Sequence, residues 1–145
     1  MEDKIINLDM DGTLVDLYGV AGWLEYLEAH NTTPYRIAKP LVNLSALARV
    51  LNNRKKRGYT INIISWLSKS GNPDYNDRVT KAKLEWLAQR LPSVRFDNIY
   101  IVDYGTPKSS CSCGILFDDE EANRVEWKGQ AYGAENLIEN LKALA

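Results

Sequence analysis

The sequence predicts an α/β fold with a mainly parallel sheet, and two observations lead there. Short runs rich in β-branched residues alternate with longer stretches of helical periodicity. Polar residues gather just after those strand-like runs, where open α/β sheets place their ligands. The 145 residues suit one domain spanning 1–145, and 45% hydrophobic with 26% charged residues is ordinary for a globular chain.

The elements follow in order. Residues 4–8 are a short apolar run ending in a polar turn, the pattern of a buried strand. A helix is predicted over 19–28, where Val20, Trp23, Leu24 and Leu27 share one stripe. Thr32, Thr33 and Pro34 break it, and a second helix runs from near Pro40 to about Arg57, with Gly58 as its terminator. Residues 59–64 form the second strand. Pro73 opens a long helix reaching Arg90, with Val79, Ala82, Trp86 and Leu91 inward and Pro92 closing it. Strands are predicted over 98–102 and 114–117, a short helix over 120–127, a small fifth strand at Ala131 and Tyr132, and a final helix over 135–144. In that last helix Leu137, Ile138, Leu141 and Leu144 face inward. The insertion after the first strand, residues 16–51, reads as a small helical cap.

Composition excludes several functions. Eighteen Lys+Arg against 19 Asp+Glu give a net charge of −1, too little for a chain that grips nucleic acid or an anionic membrane by bulk charge. Neither a membrane partner nor a stable nucleic-acid complex is expected. The run Arg54, Lys55, Lys56 and Arg57 reads as a solvated helix face. The start, MEDKIINLDMDG, has no apolar h-region, and Cys111 and Cys113 are too close to build a disulfide framework. A reducing, cytoplasmic setting is expected. Together with His30, those cysteines offer at most three N or S ligands, too few for a structural zinc site. With one histidine in the chain, catalysis falls to carboxylates.

Those carboxylates stand at strand ends. Asp9 and Asp11 follow the first strand, Ser65 the second, Asp103 and Lys108 the third, and Asp118 and Asp119 the fourth. Two carboxylates about 4 Å apart repel by roughly 4 kcal/mol at an effective dielectric near 20, so a divalent cation is the natural companion of four. An all-oxygen ligand set selects Mg²⁺, which binds substrate phosphates. A small phosphorylated molecule is therefore the expected partner. Ser65 and Lys108 supply donors for its phosphate, with Lys83 and Lys69 competing for the lysine role, and Gly12 lets backbone amides approach the anion. Asp16 reads as a helix N-cap. Trp23, on the apolar stripe, reads as core; Tyr18 and Tyr26 are candidates for a lid, and Trp66 borders the pocket or faces the core. No phosphate-binding glycine loop of the GxxxxGK[ST] or GxGxxG type is present.

LDMDGTLVD after a strand, the Ser that ends INIIS, a Lys upstream of the last core strand and GILFDD at its end resemble the four motifs of the haloacid dehalogenase superfamily of phosphatases. Order and spacing match over nearly the whole chain. The resemblance implies a Rossmann-like three-layer fold, with Asp9 as nucleophile and Asp11 as general acid and base. It also implies Mg²⁺ on Asp9, the Asp11 carbonyl and Asp119, with Asp118 acting through water, and Ser65 and Lys108 on the phosphate. A second acid two residues after the first implies phosphatase or phosphotransferase rather than dehalogenase activity. The stretches KLEWL, TPKSS, GILFDDEEANRVEWKG and AYGAENLIENLKAL are similar to the 5′(3′)-deoxyribonucleotidase branch, which implies (deoxy)nucleoside monophosphates as substrates. The alternatives are nucleic-acid 3′-phosphate ends or small sugar phosphates, or an idle phosphate-binding module on the same fold.

Overall fold

Five parallel strands carry the site. In the computed structural model, which describes residues 4–145, they are β1 (Ile5–Leu8), β2 (Thr60–Trp66), β3 (Asn98–Val102), β4 (Ile115–Phe117) and β5 (Ala131–Tyr132). Their order across the sheet is β3-β2-β1-β4-β5, with every pairing parallel. The helices are α1 (Trp23–Glu28), α2 (Thr33–Ile37), α3 (Leu44–Lys56), α4 (Pro73–Arg90), α5 (Glu121–Glu126) and α6 (Leu137–Lys142), with one 3₁₀ turn at Lys108–Ser110. Strand order reverses between β1 and β4, and open α/β sheets bind ligands outside the carboxyl ends at such a point.

Alternation along the strands divides the chain into three layers. Ile6, Leu8, Ile61, Ile63, Ile115 and Phe117 pack with Leu47 and Leu51 of α3, Trp86 and Leu87 of α4, and Leu137 and Leu141 of α6. On the opposite face Ile64 and Leu116 meet Trp127, just beyond α5. That face also carries an in-register row of asparagines, Asn7 and Asn62 buried and Asn98 exposed at the sheet edge: Asn98 donates to Asn62 at 3.0 Å, Asn62 to Asn7 at 3.1 Å, and Asn7 to the Cys113 carbonyl at 2.8 Å. Each buried amide thus finds a partner, which avoids a penalty of about 1–3 kcal/mol per orphaned group.

Local chemistry sets the helix ends. Asn43 accepts from the Ala46 amide at 2.9 Å and Asn72 from the Tyr75 amide at 2.9 Å, caps worth about 1 kcal/mol each. Beyond α3, Gly58 takes φ of +94°, which ends the helix as predicted.

The insertion departs from the sequence reading. Gly22 adopts φ of +74°, so the first helix begins only at Trp23 instead of near residue 19. Asp16 accordingly caps no helix; its Oδ1 accepts the Gly19 amide at 3.0 Å in a local turn. Thr33 and Pro34, expected to break a helix, open α2, because a proline costs nothing in a first turn. The two ends of the insertion are joined at their base: Asp16 N–H donates to Lys39 O at 2.8 Å and Leu41 N–H to Leu14 O at 2.9 Å. This pairing holds residues 39–41 extended and delays α3 to Leu44. α1 and α2 lie within residues 17–38, whereas α3 belongs to the main core through Leu47 and Leu51. Tyr35, Tyr75, Val79 and Ala82 seat α2 on α4. Among the described residues no helix is long and apolar enough to cross a membrane.

Candidate active site

Hydrophobic burial aligns β1 and β4, and the residues that follow each strand meet at the switch point. Asp9 N–H donates to Phe117 O at 3.0 Å, continuing the β1–β4 pairing by one residue. That register brings Asp9, Asp118 and Asp119 together, with one carboxylate oxygen from each lying within 4.8 Å of the others. The 3₁₀ turn delivers Lys108, whose Nζ donates to Asp9 Oδ1 at 2.8 Å and Asp118 Oδ2 at 2.7 Å. One ammonium therefore bonds two of the three carboxylates, and Asp119 has no cation of its own among the described residues.

The electrostatics follow from this crowding. Burial pushes the Asp9 carboxyl well above the usual carboxylate range; Lys108 opposes that, and the charge of Asp118 adds to it. Burial alone would lower Lys108, but Asp9 and Asp118 outweigh it and hold the ammonium above its ordinary value. Glu120, at the edge of the cluster, is raised by burial and by Asp119 and Asp118. The excess negative charge, on an all-oxygen donor set, fits a hard divalent cation. Asp9, Asp118 and Asp119 are the side chains that could hold it.

Not all of these acids are equally available. Asp118 is fully buried, and both its oxygens are occupied: Oδ1 accepts the Glu120 amide at 2.9 Å, while Oδ2 accepts Asn123 at 3.1 Å as well as Lys108. Asp119 is exposed. Thr13, which sequence reasoning passed over, bridges the set by donating to Asp9 Oδ2 at 3.0 Å and accepting the Asp119 amide at 3.2 Å.

The Asp11 side chain is not in this cluster. Its Oδ2 pairs with Lys83 Nζ at 2.9 Å, and the same ammonium donates to Ser65 Oγ at 2.5 Å and Trp66 O at 2.7 Å. The four carboxylates expected at one edge thus divide into a cluster of three, two of them on Lys108, and one on Lys83. Lys83 sits on the inward face of α4, where its spacing from Val79 and Trp86 was the available signal.

Gly12 also has a different task from the one expected. At φ of +87° its amide donates to Val15 O at 2.8 Å, so it is spent on the turn and not on an anion. What the glycine provides is space, because a Cβ there would collide with the Asp119 carboxylate.

A cleft of about 230 Å³ opens over Asp9, Asp11, Lys108 and Asp118. Tyr18 and Trp66 line it, and so do Trp23, Tyr35, Ser68, Lys69 and Tyr104. Trp23 was expected in the core; with α1 cut short by Gly22, its ring packs edge-on against Tyr18 at 5.1 Å and forms cleft wall instead. Tyr26 points to a separate shallow surface beside Ala21 and Gly22, outside the cleft. Ser65 and Asp103 are not part of the cleft wall either, and Ser65 is almost wholly buried. Across from Tyr18, Trp66 and Tyr104 pack at 4.9 Å, with Lys69 above the Tyr104 ring. Burial, then the charge of Asp11, raises the phenols of Tyr18 and Tyr35, so both stay protonated donors.

No family model matches the chain, and no curated protein matches it in sequence. Among solved structures, the fold is similar to that of a crystal structure described as a hydrolase from Streptococcus pneumoniae TIGR4. The TM-score is 0.56 at 12% sequence identity, and the match covers 98% of this chain and 97% of that one. What the two chains share is the three-layer α/β architecture.

Proposed function

We propose that the chain is a Mg²⁺-dependent phosphomonoesterase acting through an aspartyl-phosphate on Asp9, with a (deoxy)nucleoside monophosphate as substrate. The observation that carries this reading is the convergence of Asp9, Lys108, Asp118 and Asp119 where strand order reverses, with Asp11 beside them in the same cleft. The resemblance of the LDMDGTLVD and GILFDD stretches to phosphatase motifs supports it, as does a fold neighbour described as a hydrolase.

Bound at Asp9, Asp119 and the Asp11 carbonyl, with Asp118 reached through water, Mg²⁺ would supply the positive charge that lets a carboxylate approach an anionic phosphate. The chain's own groups do the rest. An Asp9 oxygen attacks phosphorus as the ester P–O bond breaks, and Asp11 gives its proton to the departing alkoxide. Asp11 then takes a proton from water, whose oxygen attacks the same phosphorus and frees Asp9 and orthophosphate. Lys108 spends two N–H donors on Asp9 and Asp118, which leaves a third for an equatorial phosphate oxygen.

A nucleotide suits the walls of the cleft. Tyr18 with Trp23 and Trp66 with Tyr104 present aromatic surfaces above the acids, and planar bases stack on such surfaces. The cytoplasmic setting belongs to the same proposal.

Phosphate release from nucleoside monophosphates, sugar phosphates and 3′-phosphorylated oligonucleotides, with and without Mg²⁺, tests it. Release from nucleoside monophosphates, dependent on Mg²⁺ and abolished in Asp9→Asn, is the expected result. Preference for another ester overturns the substrate, and no release from any of them leaves the binding-module reading standing.

A further inference from the structure

The site holds two buried lysines, and their hydrogen bonds set them apart. Lys108 lines the cleft and keeps one N–H in hand. Lys83 is 1% exposed, is not part of the cleft wall, and has spent all three donors, on Asp11 Oδ2, Ser65 Oγ and Trp66 O. An ammonium has no fourth donor and no acceptor. Lys83 therefore cannot contact a phosphate without first giving up a protein partner.

We propose that Lys83 is a positioning residue that fixes Asp11 and Ser65 against one another and acts on substrate only through Asp11, the one of the two that lines the cleft. This rests on the phosphatase reading above. By holding Asp11 Oδ2, Lys83 leaves Oδ1, which accepts no hydrogen bond among the described residues, as the oxygen that meets the leaving group. By donating to Ser65 Oγ it decides which way the hydroxyl hydrogen points. The carbonyl of Trp66 anchors the ammonium from below, and the Tyr35 ring lies 5.5 Å from it on the cap side. α4, the longest helix in the chain, thereby sets the aim of a side chain that follows β1.

The test compares two esters with Lys83→Met: p-nitrophenyl phosphate, whose leaving group departs without a proton, and thymidine 5′-monophosphate, whose alkoxide needs one. A residue that aims Asp11 predicts a kcat loss of about 30-fold on the nucleotide and only about threefold on p-nitrophenyl phosphate. KM should change little for either. In an Asp11→Asn background the same substitution should cost no more than about threefold on the nucleotide, since the group it aims is gone. Equal losses on the two esters, or a full loss in the Asp11→Asn background, overturn the proposal. If Lys83→Met does not fold, Lys83→Arg gives the same comparison, because a planar fork cannot reproduce three tripodal bonds. If the unaltered protein hydrolyses neither ester, the phosphatase reading fails on its own. Crystal structures then decide positioning: altered Asp11 and Ser65 rotamers in the variant support it, and unchanged ones overturn it.

Discussion

Lys108 donates to Asp9 at 2.8 Å although 99 residues separate them in the chain. The contact exists because β1 and β4 are neighbours and the 3₁₀ turn ahead of β4 carries the lysine back across their ends. Asp118 shares the same ammonium at 2.7 Å. A single cation thus holds two buried acids that would otherwise repel.

Removing it should therefore cost both stability and activity. Lys108→Met leaves uncompensated buried carboxylates, a change expected to destabilise by about 3–5 kcal/mol. Mg²⁺ should recover part of the lost melting temperature and raise that of the variant more than that of the unaltered protein, because it binds only the folded cluster. Thermal melts at several Mg²⁺ concentrations check this; equal shifts in the two proteins would count against a cation at Asp9 and Asp119.

Gly12→Ala tests the space beside Asp119. A Cβ at that position meets the Asp119 carboxylate in a backbone conformation that alanine disfavours. The expected outcome is a rise of about tenfold or more in the Mg²⁺ concentration giving half-maximal phosphate release. A titration of activity against Mg²⁺ reads it directly.

Tyr104→Ala should separate binding from chemistry. The ring is half-exposed on the cleft wall and packs against Trp66. Loss of a stacking surface predicts a KM for a nucleoside monophosphate about tenfold higher, with kcat little changed. For a small sugar phosphate neither constant should move, and steady-state kinetics on both substrates would expose a failure.

A pH effect on stability is expected at the far end of the sheet. Asp97 accepts the Ile61 amide at 2.8 Å and Lys55 Nζ at 3.1 Å. Partial burial works to raise its carboxyl, but the amide and Lys55 overcome that and hold it below the usual carboxylate value of 3.8. A lowered folded-state pKa stabilises above the unfolded value, and the contribution disappears as pH falls through the folded one. Asp97→Ala should thus cost about 1–2 kcal/mol at neutral pH, where the amide loses its acceptor. The gap to the unaltered protein should close below pH 3.8, as urea denaturation at a series of pH values would show.

Local signals were enough for most of the fold. β3 and β5 lie where their β-branched or short apolar runs predict, and α4 begins at Pro73 and ends at Arg90 as its periodicity and proline require. The cap was harder to read. Its first helix depended on the left-handed Gly22, and the start of α3 on the Asp16–Lys39 and Leu14–Leu41 pairing, a contact between distant segments that no helical stripe records.

The site divides in the same way. Which residues stand at strand ends is a matter of local sequence, because strand length and turn chemistry act over a few residues; Asp9, Asp11, Asp118 and Asp119 were legible for that reason. Which acid faces which lysine depends on strand order and on the turn of α4, and these come from packing between segments far apart in the chain. So the sequence alone determined an α/β chain with carboxylates, a serine and a lysine at its strand ends. Only the tertiary structure decided that Lys108 gathers Asp9 and Asp118, that Lys83 draws Asp11 aside, and that Trp23 joins the cleft wall.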